Sequence, residues 1–391
     1  MKIAFVVQRY GLEISGGAEL HCRWVVEHMK KYFEVDVLTT RALDYITWKN
    51  HYPKGKETVN DIPVKRFSVR RTRDPKKFGR IQNYILENEH KEEDELKWLE
   101  EEGPLSPSLI EYIKEHEDDY DYFIFFSYRY YHSYWGISAA PHKSILVPTA
   151  EHDPVIHLKI FKDLFRKPQA FIYNSVEERN MINSLSQNED ILGDVIGVGT
   201  EIPSSFSSEE FRQKHGIEGD YIIYIGRIDE NKGCHELFDY FLRFKKEASL
   251  DIKLILVGST ILKIPSHPDI SYLGFLSEYD KFSALDGALL LLMPSFYESL
   301  SMVTLEAWAL GNPVLANARC EVLKGQCLRS NGGLFYESYS EFKEALKLLL
   351  SLPKLRKAMG RNGQEYFNQN YTWEVIENKY RSILDQLEKG K

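Results

Sequence analysis

The feature that most restricts this chain is an apolar run, Ala288-Leu289-Leu290-Leu291-Leu292-Met293, followed by a polar stretch, a helical pattern and a second apolar run. Gly311 stops the helix, and Pro313-Val314-Leu315-Ala316 begins the next strand. A strand, loop, helix, strand unit of this kind is the repeating piece of an α/β fold. It places the loop at the carboxyl end of a parallel strand, where open α/β sheets bind ligands.

That loop and helix read Ser295-Phe296-Tyr297-Glu298-Ser299-Leu300-Ser301-Met302-Val303-Thr304-Leu305-Glu306, with two carboxylates eight residues apart across the junction. The first turn of a helix leaves backbone N–H groups unpaired and carries partial positive charge, so Ser299, Leu300, Ser301 and Met302 are suited to face a phosphate or a sugar hydroxyl. Glu306, about one and a half turns further in, is suited to accept hydrogen bonds from the cis-diol of a ribose. Glu298 then faces the group attached to the diphosphate. Taken alone, the pair also reads as two solvated glutamates.

A second loop changes that balance. The strand Tyr221 to Ile225 ends in Gly226-Arg227-Ile228-Asp229-Glu230-Asn231-Lys232-Gly233, and a helix is expected to open at about Asn231. Arg227 offers a planar fork and Lys232 a point charge, a combination that fits a diphosphate.

Gly226-Arg227, Lys232-Gly233, then Glu298 and Glu306 separated by seven residues, with Gly16-Gly17-Ala18-Glu19 near the amino terminus, resemble family 4 of the retaining GT-B glycosyltransferases, the glycosyl transferases group 1. The resemblance covers nearly the whole chain. It implies two Rossmann-like doubly wound α/β domains facing across a cleft. Arg227 and Lys232 would hold the donor diphosphate, Glu306 the ribose and Glu298 the donor sugar, while Gly16 and Gly17 would admit the phosphates to the first domain. The implied reaction moves a hexosyl group from a nucleotide sugar such as a UDP- or GDP-sugar to a glycan or lipid-linked acceptor, as in polysaccharide biosynthesis. It is a front-face route that needs no cofactor and no metal. His152, in Val147-Pro148-Thr149-Ala150-Glu151-His152-Asp153, stands after a strand where the family often has a histidine, with Asp153 placed to orient it. Two departures are visible. Ser299 and Ser301 stand where the family has glycines, and the hinge reads Ile196-Gly197-Val198-Gly199-Thr200-Glu201.

Length and pattern agree with two domains: 391 residues exceed what one core usually holds. The expected division is 1–200 for an acceptor domain and 201–369 for a donor domain, with a helix over 370–391 returning to the first. The linker over 197–208 is rich in Gly, Pro and Ser. The opening Met1 to Val7 is too short for a signal segment, so a cytoplasmic protein is expected. Cys22, Cys234, Cys320 and Cys327 form no Cys-x-x-Cys pair and read as buried free thiols.

The net charge of −8 speaks against nucleic acid as a partner. Locally, the basic run over 65–80 suits anionic membrane lipid or a phosphorylated acceptor, against a solvated loop balanced by acidic residues 87–102. The charged stretch 80–116 reads as a helical hairpin, exposed or acceptor-defining. The tyrosine-rich Tyr128 to Trp135 reads as a glycan surface or as a helix packed on the sheet. Residues 317–331 read as a loop ending in the turn Asn331-Gly332-Gly333.

A nicotinamide oxidoreductase is disfavoured because no Gly-x-Gly-x-x-Gly follows the first strand. An epimerase or phosphorylase on the same fold is a weaker fit to the Glu pair with Arg227 and Lys232. A GT-B protein that binds sugar nucleotide or glycan without catalysis, or acts as a partner subunit, is the remaining alternative.

Overall fold

Strands buried on both faces carry unbroken apolar runs, and in this chain those runs form two separate parallel sheets. The computed structural model describes residues 1–248 and 250–390. The chain divides into two compact units, Met1–Val198 with Glu377–Lys391, and Gly199–Ile376.

The first unit contains β1 (Lys2–Val7), α1 (Gly17–Met29), β2 (Glu34–Thr40), β3 (Gly55–Val59), β4 (Ile62–Phe67), α2 (Pro75–Glu87), α3 (Glu92–Glu102) and α4 (Pro107–Glu115). It continues through β5 (Tyr122–Phe126), α5 (Tyr131–Ala139), β6 (Ser144–Val147), α6 (Lys159–Leu164), β7 (Ala170–Tyr173), α7 (Val176–Ser186) and β8 (Leu192–Val195). Its sheet runs β3-β4-β2-β1-β5-β6-β7-β8, parallel except for the β3–β4 hairpin. Trp98, Phe123, Phe125 and Phe161 centre its core.

The second unit contains α8 (Ser208–His215), β9 (Tyr221–Ile225), α9 (Cys234–Glu247), β10 (Lys253–Val257), β11 (Ile270–Tyr272), α10 (Glu278–Asp286) and β12 (Leu291–Met293). There follow α11 (Met302–Ala309), β13 (Val314–Asn317), α12 (Glu321–Ser330), β14 (Gly333–Tyr336), α13 (Tyr339–Ser351) and α14 (Pro353–Asn370); α15 (Trp373–Lys389) ends the chain. The sheet order β11-β10-β9-β12-β13-β14 reverses between β9 and β12. The two loops singled out above therefore meet at the switch point of this sheet, where such folds open a crevice.

Several elements differ from expectation. α9 opens at Cys234 rather than Asn231, because Asp229 to Lys232 close a turn and Gly233, at φ 67°, starts the helix. Residues 321–330 are the helix α12, whose left-handed cap Asn331 leads into β14. Cys320 and Cys327 lie at and within that helix, and all four cysteines are free and buried. The 80–116 stretch is no exposed hairpin: it belongs to three helices, and Trp98 and Leu99 of α3 are fully buried.

The basic run is neither a free loop nor a continuous patch. Arg66 is buried against Glu57 and Arg73 against Glu102, while Arg71 and Lys77 share Glu101. The tyrosine-rich run packs onto the sheet, with Tyr128 and Tyr134 buried and His132 and Ser133 bonded to the Phe126 carbonyl.

Behind α11, the helix α14 approaches through glycines. A Cβ on Gly360 would stand 1.8 Å from the Gly311 carbonyl oxygen, and one on Gly363 would stand 2.2 Å from the Trp308 ring. Gln364 donates to the Ala309 carbonyl at 3.0 Å. No helix among the described residues is long and apolar enough to cross a membrane.

Candidate functional site

The loop after β9 is built around Asp229. Its buried carboxylate accepts from the Lys232 backbone N–H at 2.8 Å and from the Arg227 guanidinium. Beneath the loop, the Tyr224 hydroxyl donates to the Arg227 carbonyl at 2.7 Å. Gly226 takes φ 157°, and a Cβ there would press on that hydroxyl. Arg227 keeps 53% of its side chain exposed, so its ion pair with Asp229 leaves most of the fork toward solvent.

Gly233 joins this loop to the next. It sits at φ 67°, and an added Cβ would lie 2.1 Å from the Pro294 carbonyl oxygen. The Phe296 N–H donates to the Asn231 carbonyl at 3.2 Å, and Lys232 Nζ reaches Glu298 Oε1 at 2.7 Å and the Tyr297 carbonyl at 3.2 Å. The spacing read from sequence thus brings Arg227, Lys232 and Glu298 onto one pair of loops. Lys232 and Glu298 are only 24% and 14% exposed, so any anion entering here meets a charge-assisted pair that is already partly desolvated.

α11 starts at Met302 without a capping side chain. Ser301 holds the left-handed conformation at φ 68°, and its hydroxyl pairs with that of Thr304 at 2.9 Å. Thus Ser301 takes the backbone shape that glycine adopts most easily. From behind, Gln326 of α12 donates to the Leu300 carbonyl at 2.8 Å. The result is a helix N-terminus whose first amides have no side-chain cap, framed by Ser299, Leu300 and Ser301.

Glu306 is buried inside α11 and bonds Lys281 Nζ of α10 at 2.9 Å. Lys281 is itself bridged to Glu278 at 2.9 Å. Burial pushes the Glu306 carboxyl upward, and the Lys281 charge opposes that shift. Lys281, Asp229 and Gln326 are the partners that sequence reasoning missed. The Ser277-Glu278-Tyr279-Asp280 start signals α10, with Ser277 accepting from the Asp280 N–H, yet no local signal ties Lys281 to a carboxylate 25 residues on.

The remaining predicted residues lie in the first unit. Gly16 precedes α1 in extended backbone, and the space its Cβ would fill holds the Glu19 carboxylate, paired with Arg9 at 2.7 Å. Gly16 here makes room for a buried ion pair, and Gly17 opens α1. His152 is exposed, with its ring edge-on to His157 at 5.6 Å. Asp153 does not orient it: that carboxylate goes to Arg129 at 3.1 Å, to the Tyr128 hydroxyl at 3.4 Å and to the Ile156 N–H at 3.3 Å. The loop is pinned instead by Glu178, which accepts from the Ala150 and Asn174 N–H groups at 2.5 Å and is pushed up to about 8 by burial. Among the described residues no cluster of three or more metal-ligating side chains occurs.

Comparisons with known proteins fit this geometry. Residues 207–366 match the family model described as Glycosyl transferases group 1. The chain is 25% identical over 190 residues to the capsular polysaccharide biosynthesis glycosyltransferase CapM of Staphylococcus aureus, covering 44% of this chain and 49% of that one. It is 29% identical over 180 residues to an uncharacterised glycosyltransferase of Methanocaldococcus jannaschii, covering 44% and 50%. The chain therefore spans about half the length of the relatives it matches. Among solved structures, sucrose-phosphate synthase from Thermosynechococcus elongatus superposes with a TM-score of 0.74 at 17% identity, over 100% of both chains. Anabaena HepE in complex with UDP-glucose gives 0.71 at 16%, again over 100% of both. The chain thus has the GT-B fold, and residues 207–366 within it match the glycosyl transferases group 1 model.

Proposed function

We propose that this chain is a retaining glycosyltransferase that moves a sugar from a nucleoside-diphosphate sugar to a glycan or lipid-linked acceptor. The observation that carries the reading is the pairing of Lys232 with Glu298 at the switch point, beside the uncapped start of α11 and the buried Glu306. In this reading Arg227 and Lys232 take the diphosphate, Glu306 accepts from the ribose diol, and Glu298 faces the donor sugar. The amides of Ser299 to Met302 meet phosphate or sugar oxygens.

The bond from the anomeric carbon to the diphosphate breaks, and its electron pair leaves on the diphosphate. The acceptor oxygen forms the new bond on the same face and gives its proton to the departing phosphate oxygen. Arg227 and Lys232 supply the positive charge that this leaving group requires, so the route is proposed without a metal. His152 is proposed to bond a hydroxyl of the sugar or of the acceptor. UDP is the first base to test, because related folds are known in complex with UDP-glucose and with UDP-2-fluoro glucose.

The test is thermal stabilisation and slow hydrolysis with UDP-, GDP-, ADP- and dTDP-sugars, in the native chain and in Glu306→Ala. Stabilisation by one donor with hydrolysis, both lost in the variant, supports the transferase. Stabilisation with no turnover across a wide acceptor panel would identify a sugar-nucleotide binder instead. Failure of every donor to stabilise or react overturns both.

A further inference from the structure

A cavity of about 340 Å³ opens in the first unit at the amino ends of the parallel strands. Its wall includes Lys2, which starts β1, Asp36 near the start of β2, and Tyr120 just before β5. The loops that carry Gly16 and His152 leave the carboxyl ends of β1 and β6, so the cavity lies on the opposite edge of the same sheet. It is independent of the transferase reading.

The hairpin β3–β4 supplies its cations. Lys56 and Lys65 are directly opposite one another in the antiparallel register, so their side chains share one face. Like charges in that position destabilise a hairpin. Alternation sends the neighbouring Glu57 to the other face, where it pairs with Arg66, and of the two carboxylates that share the cavity wall, Asp36 is taken by Lys2 and Tyr120 while Asp119 is exposed. No carboxylate among the described residues pairs with Lys56 or Lys65. Lys65 Nζ rests instead over the Tyr112 ring at 3.5 Å. That contact uses the ring's quadrupole and leaves the ammonium donors available, and a charge-assisted bond to an anion is the stronger alternative.

The remaining wall is rich in groups that bond hydroxyls. The Tyr120 hydroxyl donates to Asp36 at 2.8 Å and lies 3.5 Å from the Tyr112 hydroxyl, while His116 stacks on Tyr112 at 3.9 Å. Asp36 also receives Lys2 at 3.6 Å. The volume falls in the range of small-molecule sites, roughly 300 to 1,000 Å³, and would leave a bare inorganic anion mostly surrounded by water.

We propose that this cavity binds a sugar ring bearing one anionic group, with Lys56 and Lys65 on the anion and Asp36, Tyr112 and Tyr120 on ring hydroxyls. The anionic group is a carboxylate or a phosphate, which two probes separate. Calorimetric titration of the full chain with glucuronate and with glucose 6-phosphate is expected to show binding of at least one, with neutral glucose weaker. Lys56→Gln combined with Lys65→Met is expected to weaken that binding at least about tenfold, the loss of a charge-assisted bond, whereas Lys232→Ala in the other unit leaves it intact. Lys56→Glu creates a cross-strand ion pair, so it is expected to raise Tm while abolishing binding. No binding of either anionic sugar, or undiminished binding in Lys56→Glu, overturns the assignment. Inorganic phosphate binding as tightly as both sugars would also overturn it, because the site would then recognise charge alone.

Discussion

At the residue scale, the loops after β9 and β12 owe their shape to a few positions with little freedom. Gly233 combines φ 67° with a backbone carbonyl 2.1 Å from where a Cβ would be. Gly233→Ala is therefore expected to cost about 2–4 kcal/mol of stability and to weaken nucleoside diphosphate binding, read by denaturant unfolding and titration calorimetry. Ser301→Gly removes a left-handed side-chain penalty of about 1–2 kcal/mol and loses one hydroxyl contact, so a small rise in Tm is expected. Lys281 holds down a carboxyl that burial raises. Lys281→Met is expected to let Glu306 take up a proton at higher pH. Nucleoside diphosphate affinity should then strengthen with rising pH over a range that lies higher in the variant than in the native chain. The Glu298–Glu306 spacing and the Arg227–Lys232 loop were legible because each is local in sequence. Lys281 was not, because its partner is on another helix, and Asp229 was seen only as a loop residue.

At the element scale, regular alternation was easy to read and edge structure was not. Strands β9 and β13 fall within one residue of the apolar runs Tyr221 to Ile225 and Val314 to Ala316. The β3–β4 hairpin escaped, although its turn Val59-Asn60-Asp61-Ile62 carried a signal: Asn60 and Asp61 both take positive φ, as a two-residue hairpin turn requires. The basic run hid its structure because its partners, Glu101 and Glu102, lie at the end of α3, about 30 residues on. The last helix shows what local reading omits. Glu377 of α15 bonds Lys31 at 2.7 Å, His28 at 2.6 Å and the Tyr32 hydroxyl at 2.6 Å on the α1 side. These bonds hold its carboxyl near 2, below the usual 4.5, against the opposing effect of burial. The stabilisation is complete above about pH 4.5 and lost as pH falls through about 2. Because Lys31 is half-exposed and screened, Glu377→Gln is expected to cost only about 1–3 kcal/mol at neutral pH. The difference from the native chain should shrink in acid-unfolding curves over that window.

At the scale of the whole molecule, the two units each have their own parallel sheet and core, which the repeated strand–helix alternation in the sequence anticipated. A nucleoside diphosphate at about 100 times its Kd is expected to add about 2.7 kcal/mol of stability, with the second unit's unfolding transition shifting in scanning calorimetry. Lys232→Ala should reduce that gain more for nucleoside diphosphates than for nucleosides. The glycine seam of α14 extends the reach of the site beyond its ligand. Gly360 and Gly363 fix how closely that helix lies against Gly311 and Trp308 at the end of α11, and α11 carries Glu306. An outer helix with no candidate role in binding is thus a keyed backing plate. Mutational scanning for donor binding should find two intolerant positions there, spaced by less than one helical turn, on a surface that contact with ligand alone would leave unmarked.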